Sequence, residues 1–432
     1  MKKIAYFTPL LCLVTFGVPA AWTADLDSND DSSSLPVVAS VMDSYEEEAA
    51  PEPVDPLEYT PTDANAELIS ESAADSSVAD SMEYATPEVN ERFFSGSIVG
   101  SWSDGLANTS GPNWKMNQAW LTFQRPTKTG QQLDVGYRID ALFGTNNGQC
   151  YGDGGFDGKW GVSGDGYAAS LYQAYGELSV GNITGKFGKF ETLLGYESLD
   201  SAVNAATVGT LTHTYMYEAE PLTHSGALFT WAPTDRFDVS FGVAAGADNS
   251  FSNYYGDTGF LFGASFKLDE NVSVSYAAEL NQVHSIVGAD RTAQSFGYYA
   301  LGGDSIGDQD EYLQMIALEL CLTDKLDYAF VTNYGTMQDR ATNTDRYSQY
   351  GFANYLTYDL SDQLVGALRY EYYEDKLETK VAKGKRHDLT FSVVYKPSEH
   401  FFVLPEIRYD WVDVAGKKDD GTTGAVAVGF LF

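Results

Sequence analysis

The chain has 432 residues, a formal net charge of −35 at pH 7, and high counts of Tyr (29), Phe (24) and Gly (41). So acidic a balance excludes nucleic-acid binding, which needs a basic footprint. No segment past the N-terminal leader approaches the ~18 uninterrupted apolar residues of a membrane helix, whereas Tyr and Phe favour strands.

At the N-terminus Lys2 and Lys3 precede an apolar run from Ile4 to Val18, and Val18-Pro19-Ala20 follows as a small-residue cleavage pattern. This reads as a secretory signal peptide over 1–24, too short to span a bilayer, with cleavage expected after Ala20 or Ala24. Cys12 lies inside the run behind Leu11, which is not the small residue a lipid-anchor site carries. Cys150 and Cys321 then remain, too few for a disulfide framework.

Residues 25–91 hold nineteen acidic residues and no Lys, Arg or His, about half of the whole net charge. Low hydrophobicity and self-repulsion predict a disordered acidic tail. A solvated spacer is its plainest role, and a contact with a periplasmic basic partner, divalent cations or the cell wall is the alternative.

From Arg92 to Phe432 sixteen alternating segments recur, near 92–101, 116–124, 131–143, 169–180, 183–190, 223–232, 235–245, 258–267, 271–282, 310–322, 325–335, 346–358, 362–373, 386–396, 399–412 and 423–432. In 133–140, Leu133, Val135, Tyr137 and Ile139 fall on one face while Asp134, Arg138 and Asp140 fall on the other, a period of two. Every second connector is short and rich in turn formers (RPTKTG, GN, PT, DEN, TD, LSD, PSE), and the others are long: 102–115, 144–168, 191–222, 246–257, 283–309, 336–345, 374–385 and 413–422. That alternation predicts an all-β, transmembrane antiparallel β-barrel with tight periplasmic turns and long outer loops. An even count puts both termini in the periplasm, and by barrel scaling sixteen strands leave an aqueous channel.

The last segment, TTGAVAVGFLF, sets Val426, Val428, Phe430 and Phe432 at every second position, with Ala425, Ala427 and Gly429 between. An uncovered apolar strand face is an aggregation hazard in water. In a barrel it faces lipid as the closing strand, with Phe432 in the interfacial aromatic girdle.

Within 95–262 the segments MNQAWLTFQR, LDVGYRIDALFGT, LYQAYGELSVGN, GKFGKFETLLGYE and above all THTYMYEAEPLTHSGALFTW resemble the OmpL-like beta-barrel porin family. The resemblance implies an outer-membrane porin, with a homotrimer as the default assembly. It supplies no substrate and no catalytic residue.

His213, His224 and Ser225 raise the question of a Ser–His hydrolase, but no nucleophile-elbow pattern surrounds the serine, so a structural role at a loop-to-strand junction is the reading and no enzyme is expected. Asp153, Asp157 and Asp165 lie in a glycine-rich loop whose spacing matches no calcium loop, so no metal or cofactor is expected.

Inward charges are the better candidates. By alternation Arg138, Asp140, Glu177, Lys186, Glu279, Glu319, Arg369, Glu371, Glu406, Arg408 and Asp410 point into the lumen, where mixed-sign rings orient polar solutes; the plainer alternative is mutual neutralisation across strands. The third long connector, Glu191 to Leu222, carries Leu193, Leu194, Leu199, Val203, Val208 and Leu211, and SLDSAVNAATV predicts a short helix capped by Ser198 or Asp200. So apolar a loop needs a wall to pack on, and the expected wall is the barrel interior, with a rim cap or a subunit contact as the rival. Glu197, Asp200, Glu218 and Glu220 are then expected to face Arg138, Lys186, Arg369 and Arg408 and to form the constriction.

The sequence therefore reads as a signal peptide (1–24), an acidic tail (25–91) and a barrel (92–432) lying in outer-membrane lipid and passing small hydrophilic solutes or ions, mildly preferring cations. The alternative is a structural or adhesive barrel with a plugged lumen.

Overall fold

A computed structural model describes residues 94–105, 113–130, 132–146, 167–249, 251, 257–284, 308–377, 382–414 and 416–432. The signal-peptide and acidic-tail readings lie outside the described residues, as do Cys150, Asp153, Asp157 and Asp165.

Sixteen strands follow one another: β1 (Phe94–Gly105), β2 (Asn113–Arg125), β3 (Asp134–Gly144), β4 (Ala168–Val180), β5 (Ile183–Glu191), β6 (Thr223–Thr234), β7 (Phe237–Ala247), β8 (Thr258–Asp269), β9 (Val272–Val283), β10 (Gln309–Thr323), β11 (Leu326–Asp339), β12 (Thr344–Ser361), β13 (Leu364–Leu377), β14 (Ala382–Ser398), β15 (Phe401–Val414) and β16 (Lys417–Leu431). Between β5 and β6 lie two short helices, α1 (Ser201–Thr207) and α2 (Tyr215–Glu218). Each strand pairs antiparallel with its sequence neighbours, and β1 pairs with β16 through Ser97↔Leu431 to Gly105↔Thr423. Gly96 and Phe432 complete that seam by exchanging both backbone hydrogen bonds, at 2.9 and 3.0 Å. The sheet is a closed barrel without an open edge, the arrangement that satisfies every strand group inside a bilayer.

The period of two is kept around the wall. Val135, Tyr137, Ile139, Phe241, Phe262, Leu368, Phe391 and Ile407 are exposed on the outside, whereas Val99, Asp140, Ala277, Arg369 and Thr390 are buried on the inside. On β16, Ala425, Ala427 and Gly429 face inward and Phe430 outward. The Phe402 ring of β15 lies over Gly429, where an added Cβ would come within 2.0 Å of the ring; only glycine leaves room for it.

Aromatic pairs form two outward belts. Phe94–Phe123 and Phe401–Phe430 stand near the tight-turn end, with ring centroids 5.0 and 5.1 Å apart. His387 stacks on Trp411 at 4.8 Å and Tyr350 lies 5.6 Å from Tyr372 toward the other end.

Four connectors are shorter than expected, the first of them, 102–115, being reduced to 106–112 between β1 and β2. The long loops read at 336–345, 374–385 and 413–422 shrink to 340–343, 378–381 and 415–416, because β11 to β16 continue past the apolar band. There Arg346 and Ser348 face out and Tyr347 and Gln349 face in. Pairing continues where apolar–polar alternation has stopped, and only the alternation was visible in the sequence.

Among the described residues the barrel closes on itself from β1 to β16. Joining the leader directly to Arg92 is therefore expected to give a membrane protein that still shifts its gel mobility on heating. Failure to assemble would assign the acidic tail a folding role.

Candidate functional site

Loop 192–222, here the inner loop, enters the barrel and packs on three sectors of its inner wall. Ala202 and Ala205 of α1 join Val99, Val394, Phe402, Leu404 and Ala427. Leu199, Tyr217 and Leu222 join Trp120, Leu142 and Tyr172. Leu194, Val208 and Met216 lie among Met315, Val331, Ala353, Tyr355 and Tyr373. Each fully buried Leu, Val or Met side chain contributes roughly 1.5–3 kcal/mol, so the apolar content of the loop is used against the wall and not in water.

Local sequence shapes the loop. Asp200 caps α1 by accepting from Ala202 N, and Thr214 caps α2 by accepting from Tyr217 N. Of the two caps expected for the first helix, Asp200 is the one in place, while Ser198 Oγ accepts from Asp200 N. After α1 the chain turns at Gly209 with φ +75°, where an added Cβ would meet the Ala367 Cβ of the wall at 2.6 Å. Ser392 Oγ donates to the Gly209 carbonyl at that close approach.

Between the helices, 209–214 is irregular backbone inside a protein, and its N–H and C=O groups need partners. The wall supplies them as an alternating series of charges. Glu406 accepts from Leu211 N at 2.7 Å and Thr212 N at 3.2 Å. Arg369 donates to the carbonyls of Thr212 and His213, and Arg408 also donates to the His213 carbonyl. Glu371 accepts from Tyr215 N at 2.7 Å and Met216 N at 2.8 Å, placing a carboxylate at the first turn of α2. Charge-assisted hydrogen bonds of this kind are about twice as strong as neutral ones.

The wall charges are also paired with each other. Arg369 binds Asp388 at 3.2 Å and Glu197 of the loop at 2.9 Å, with all three side chains at most 1% exposed. Arg408 binds Asp410 at 2.7 Å and approaches Asp388 at 3.8 Å. Tyr355 OH and Thr214 N both donate to Glu197. On the facing wall Arg138 Nε donates to Asp140 at 2.9 Å, and Gln173 donates to the same oxygen at 2.8 Å.

The expected loop-to-wall pairings are thus only partly present. Glu197 forms its ion pair with Arg369. Asp200 meets Gln118 instead of a base, accepting from its Nε2 while Gln118 Oε1 accepts from Ser201 N. Glu218 is exposed and feels Arg408 and Arg386, the latter absent from the expected set. Glu220 accepts from Asn333 at 2.8 Å and makes no ion pair among the described residues. Glu177 turns to the tight-turn end and accepts from Thr127 N and Oγ1. Lys186 stands over the Tyr175 ring at 5.2 Å.

Asp388, Gln118, Asn333 and Tyr355 were not singled out in the sequence. The alternation that selected Arg369 also places Asp388 with Thr390 and Ser392 on the inner face, so the signal for it was present. The amides carried none, because an inward amide has no preferred partner until the loop is placed.

The hydroxyl and imidazoles considered for hydrolysis point apart. Ser225 Oγ donates to Asn249 O at 2.6 Å, His224 Nε2 lies 3.0 Å from Thr192 Oγ1, and His213 meets Ser198 O while stacking on Tyr217. The two imidazoles fix a root and the turn of the inner loop, and Ser225 ties β6 to the start of the β7–β8 connector.

Residues 100–432 match the family described as "Putative beta-barrel porin-2, OmpL-like". The chain belongs to this porin family. No curated protein matches the sequence. Among solved structures the barrel is similar to an anion-selective porin from Comamonas acidovorans, at 10% identity and a TM-score of 0.53 over 78% of this chain and 98% of that one. It is similar to the outer membrane channel DcaP of Acinetobacter baumannii, at 12% and 0.52 over 78% and 96%, and to Salmonella typhi OmpF, at 11% and 0.51 over 78% and 97%. At such identities the likeness is one of fold. Family and fold together make this chain an outer-membrane porin.

Burial away from water pushes Glu220 of this porin up to about 8, with the Glu197 carboxylate adding to the shift against the Asn333 hydrogen bond. A carboxyl raised in the fold stabilises it fully below its ordinary value near 4.5, and loses that contribution as pH rises through about 8. Protease cleavage within 192–222 is therefore expected to be faster at pH 9 than at pH 5, and Glu220→Gln should flatten the difference. Equal cleavage of the parent at both pH values would contradict this.

Proposed function

We propose that this porin is a narrow passive channel for small hydrophilic solutes or ions, with the inner loop as its constriction and both termini in the periplasm. The observation that carries the reading is the fixing of 209–216 by Glu406, Arg369, Arg408 and Glu371. A wall that holds loop backbone so extensively has the loop as a permanent part of its cross-section. Arg138, Lys186 and Glu218 remain partly or wholly accessible and take the pore-lining role, with the buried Asp140 holding Arg138 in place. Arg369, Glu371 and Glu406 position the loop, with Glu197 and Asp200 as its inner anchors.

A structural barrel with a plugged lumen is the second reading, favoured by the complete burial of Arg369, Glu371 and Asp388 under the loop. Swelling of liposomes containing the purified protein separates the two. The channel reading predicts swelling rates that fall steeply with the size of neutral solutes. No swelling with the smallest of them, glycerol, supports the plug. One similar structure is titled a trimer form of OmpT from Vibrio cholerae, and a homotrimer is the assembly proposed here. Light scattering in detergent would return three chains, and a single chain would contradict it.

A further inference from the structure

The inner loop does not close all sides of the barrel equally. Against β13, β14 and β15 it leaves no exposed surface on Arg369, Glu371 or Asp388. Against β10 and β11 it packs through Leu194, Val208 and Met216, but toward the tight-turn ends of β9, β10 and β11 a cavity of about 310 Å³ lies between the loop and the tight turn at Glu270–Asn271. Liquid water occupies about 30 Å³ per molecule, so this space holds a small organic solute or a chain of waters.

Its lining is one-signed. Among the described residues Glu270, Glu319 and Asp327 border it and no Lys, Arg or His does, Lys267 on β8 being outside the lining. Glu319 makes no ion pair among the described residues. Tyr196 OH of the loop donates to one of its oxygens at 3.1 Å and Ser273 Oγ to the other at 2.6 Å. Two neutral donors orient this carboxylate without cancelling its charge. The guanidiniums of Arg369 and Arg408, by contrast, are consumed by loop carbonyls and by Asp388 and Asp410. Low-dielectric walls around uncancelled charge of one sign concentrate the counter-ion.

We propose that the permeation route runs through this cavity at the tight-turn end of β9–β11, and that Glu319 and Asp327 make it a subsite for small cations, including organic ammonium ions. This rests on the channel reading above. It places ion preference at the two carboxylates of the cavity and not at the larger charge cluster on β13–β15, which holds the loop.

Cys321 reports on it, because its thiol is exposed and lines the same cavity. In a chain carrying Cys12→Ser and Cys150→Ser it is the sole thiol. Conducting channels of this variant are treated from the tight-turn side with a trimethylammonium or a sulfonate methanethiosulfonate of equal length. The expected result is a stepwise fall in conductance on modification, with the cationic reagent reacting about tenfold or more faster, and loss of that preference in Glu319→Gln/Asp327→Asn. Complete modification, verified by mass, with unchanged conductance overturns the route while leaving the channel reading intact. Equal rates for the two reagents overturn the cation preference. Absence of any conductance before treatment removes the channel reading itself.

Discussion

Deleting Asp200–Thr210 is expected to leave an assembled barrel whose single-channel conductance is larger by roughly twofold or more, with weaker ion selectivity, since a constriction sets both. The segment holds α1, the Asp200 cap and the Gly209 turn. Removing it takes Ala202 and Ala205 off Val99, Phe402 and Leu404 and frees Gln118 and Ser392 from their loop partners. The barrel has its own reasons to stay closed. Its sixteen strand pairs, including the β1–β16 seam, contain no loop residue. Conductance equal to that of the intact protein would show that the loop does not narrow the path.

Arg369→Ala is the second change of large effect. It leaves Glu197 buried without its cation, Asp388 with only the 3.8 Å approach of Arg408, and the Thr212 carbonyl without its guanidinium donor, while the His213 carbonyl keeps Arg408 alone. Breaking a buried pair by removing one partner costs about 3–5 kcal/mol. Here that cost falls on the docking of the loop more than on barrel closure. The variant is expected to retain heat-modifiable mobility but to be cleaved within 192–222 by protease that spares the parent, and to give larger, noisier channel openings. Arg369→Lys should rescue only in part, because one ammonium cannot reach carbonyls and two carboxylates at once. Parent-like protease resistance in Arg369→Ala would remove this residue from the loop's anchorage.

The sequence made the barrel legible for a physical reason: lipid on one side and a filled lumen on the other impose a period of two on every strand. Val426, Val428 and Phe430 against Ala425, Ala427 and Gly429 show it in the shortest space. The residence of the inner loop inside the wall was legible from the same source, because Leu194, Leu199 and Val208 had nowhere else to be dry.

The polar geometry was less legible. A charge on an inner face is visible from alternation, but its partner depends on depth along the barrel, which alternation does not encode. Glu177 looked equivalent to Glu371, yet one serves the Thr127 turn and the other serves α2. Most loop–wall bonds end on backbone atoms, such as the carbonyl of His213, and these carry no residue-type signal at all. The expectation of acids on the loop facing bases on the wall held for Glu197, while Asp200 and Glu220 took the amides of Gln118 and Asn333.

Whether an aqueous path survives beside the docked loop is read out by recording from the purified intact protein in planar bilayers. Discrete, small conductance steps that are open at low voltage are expected, with a reversal potential biased toward cations in a salt gradient. A barrel that inserts, verified by heat-modifiable mobility of the reconstituted protein, but passes no current would contradict the channel reading.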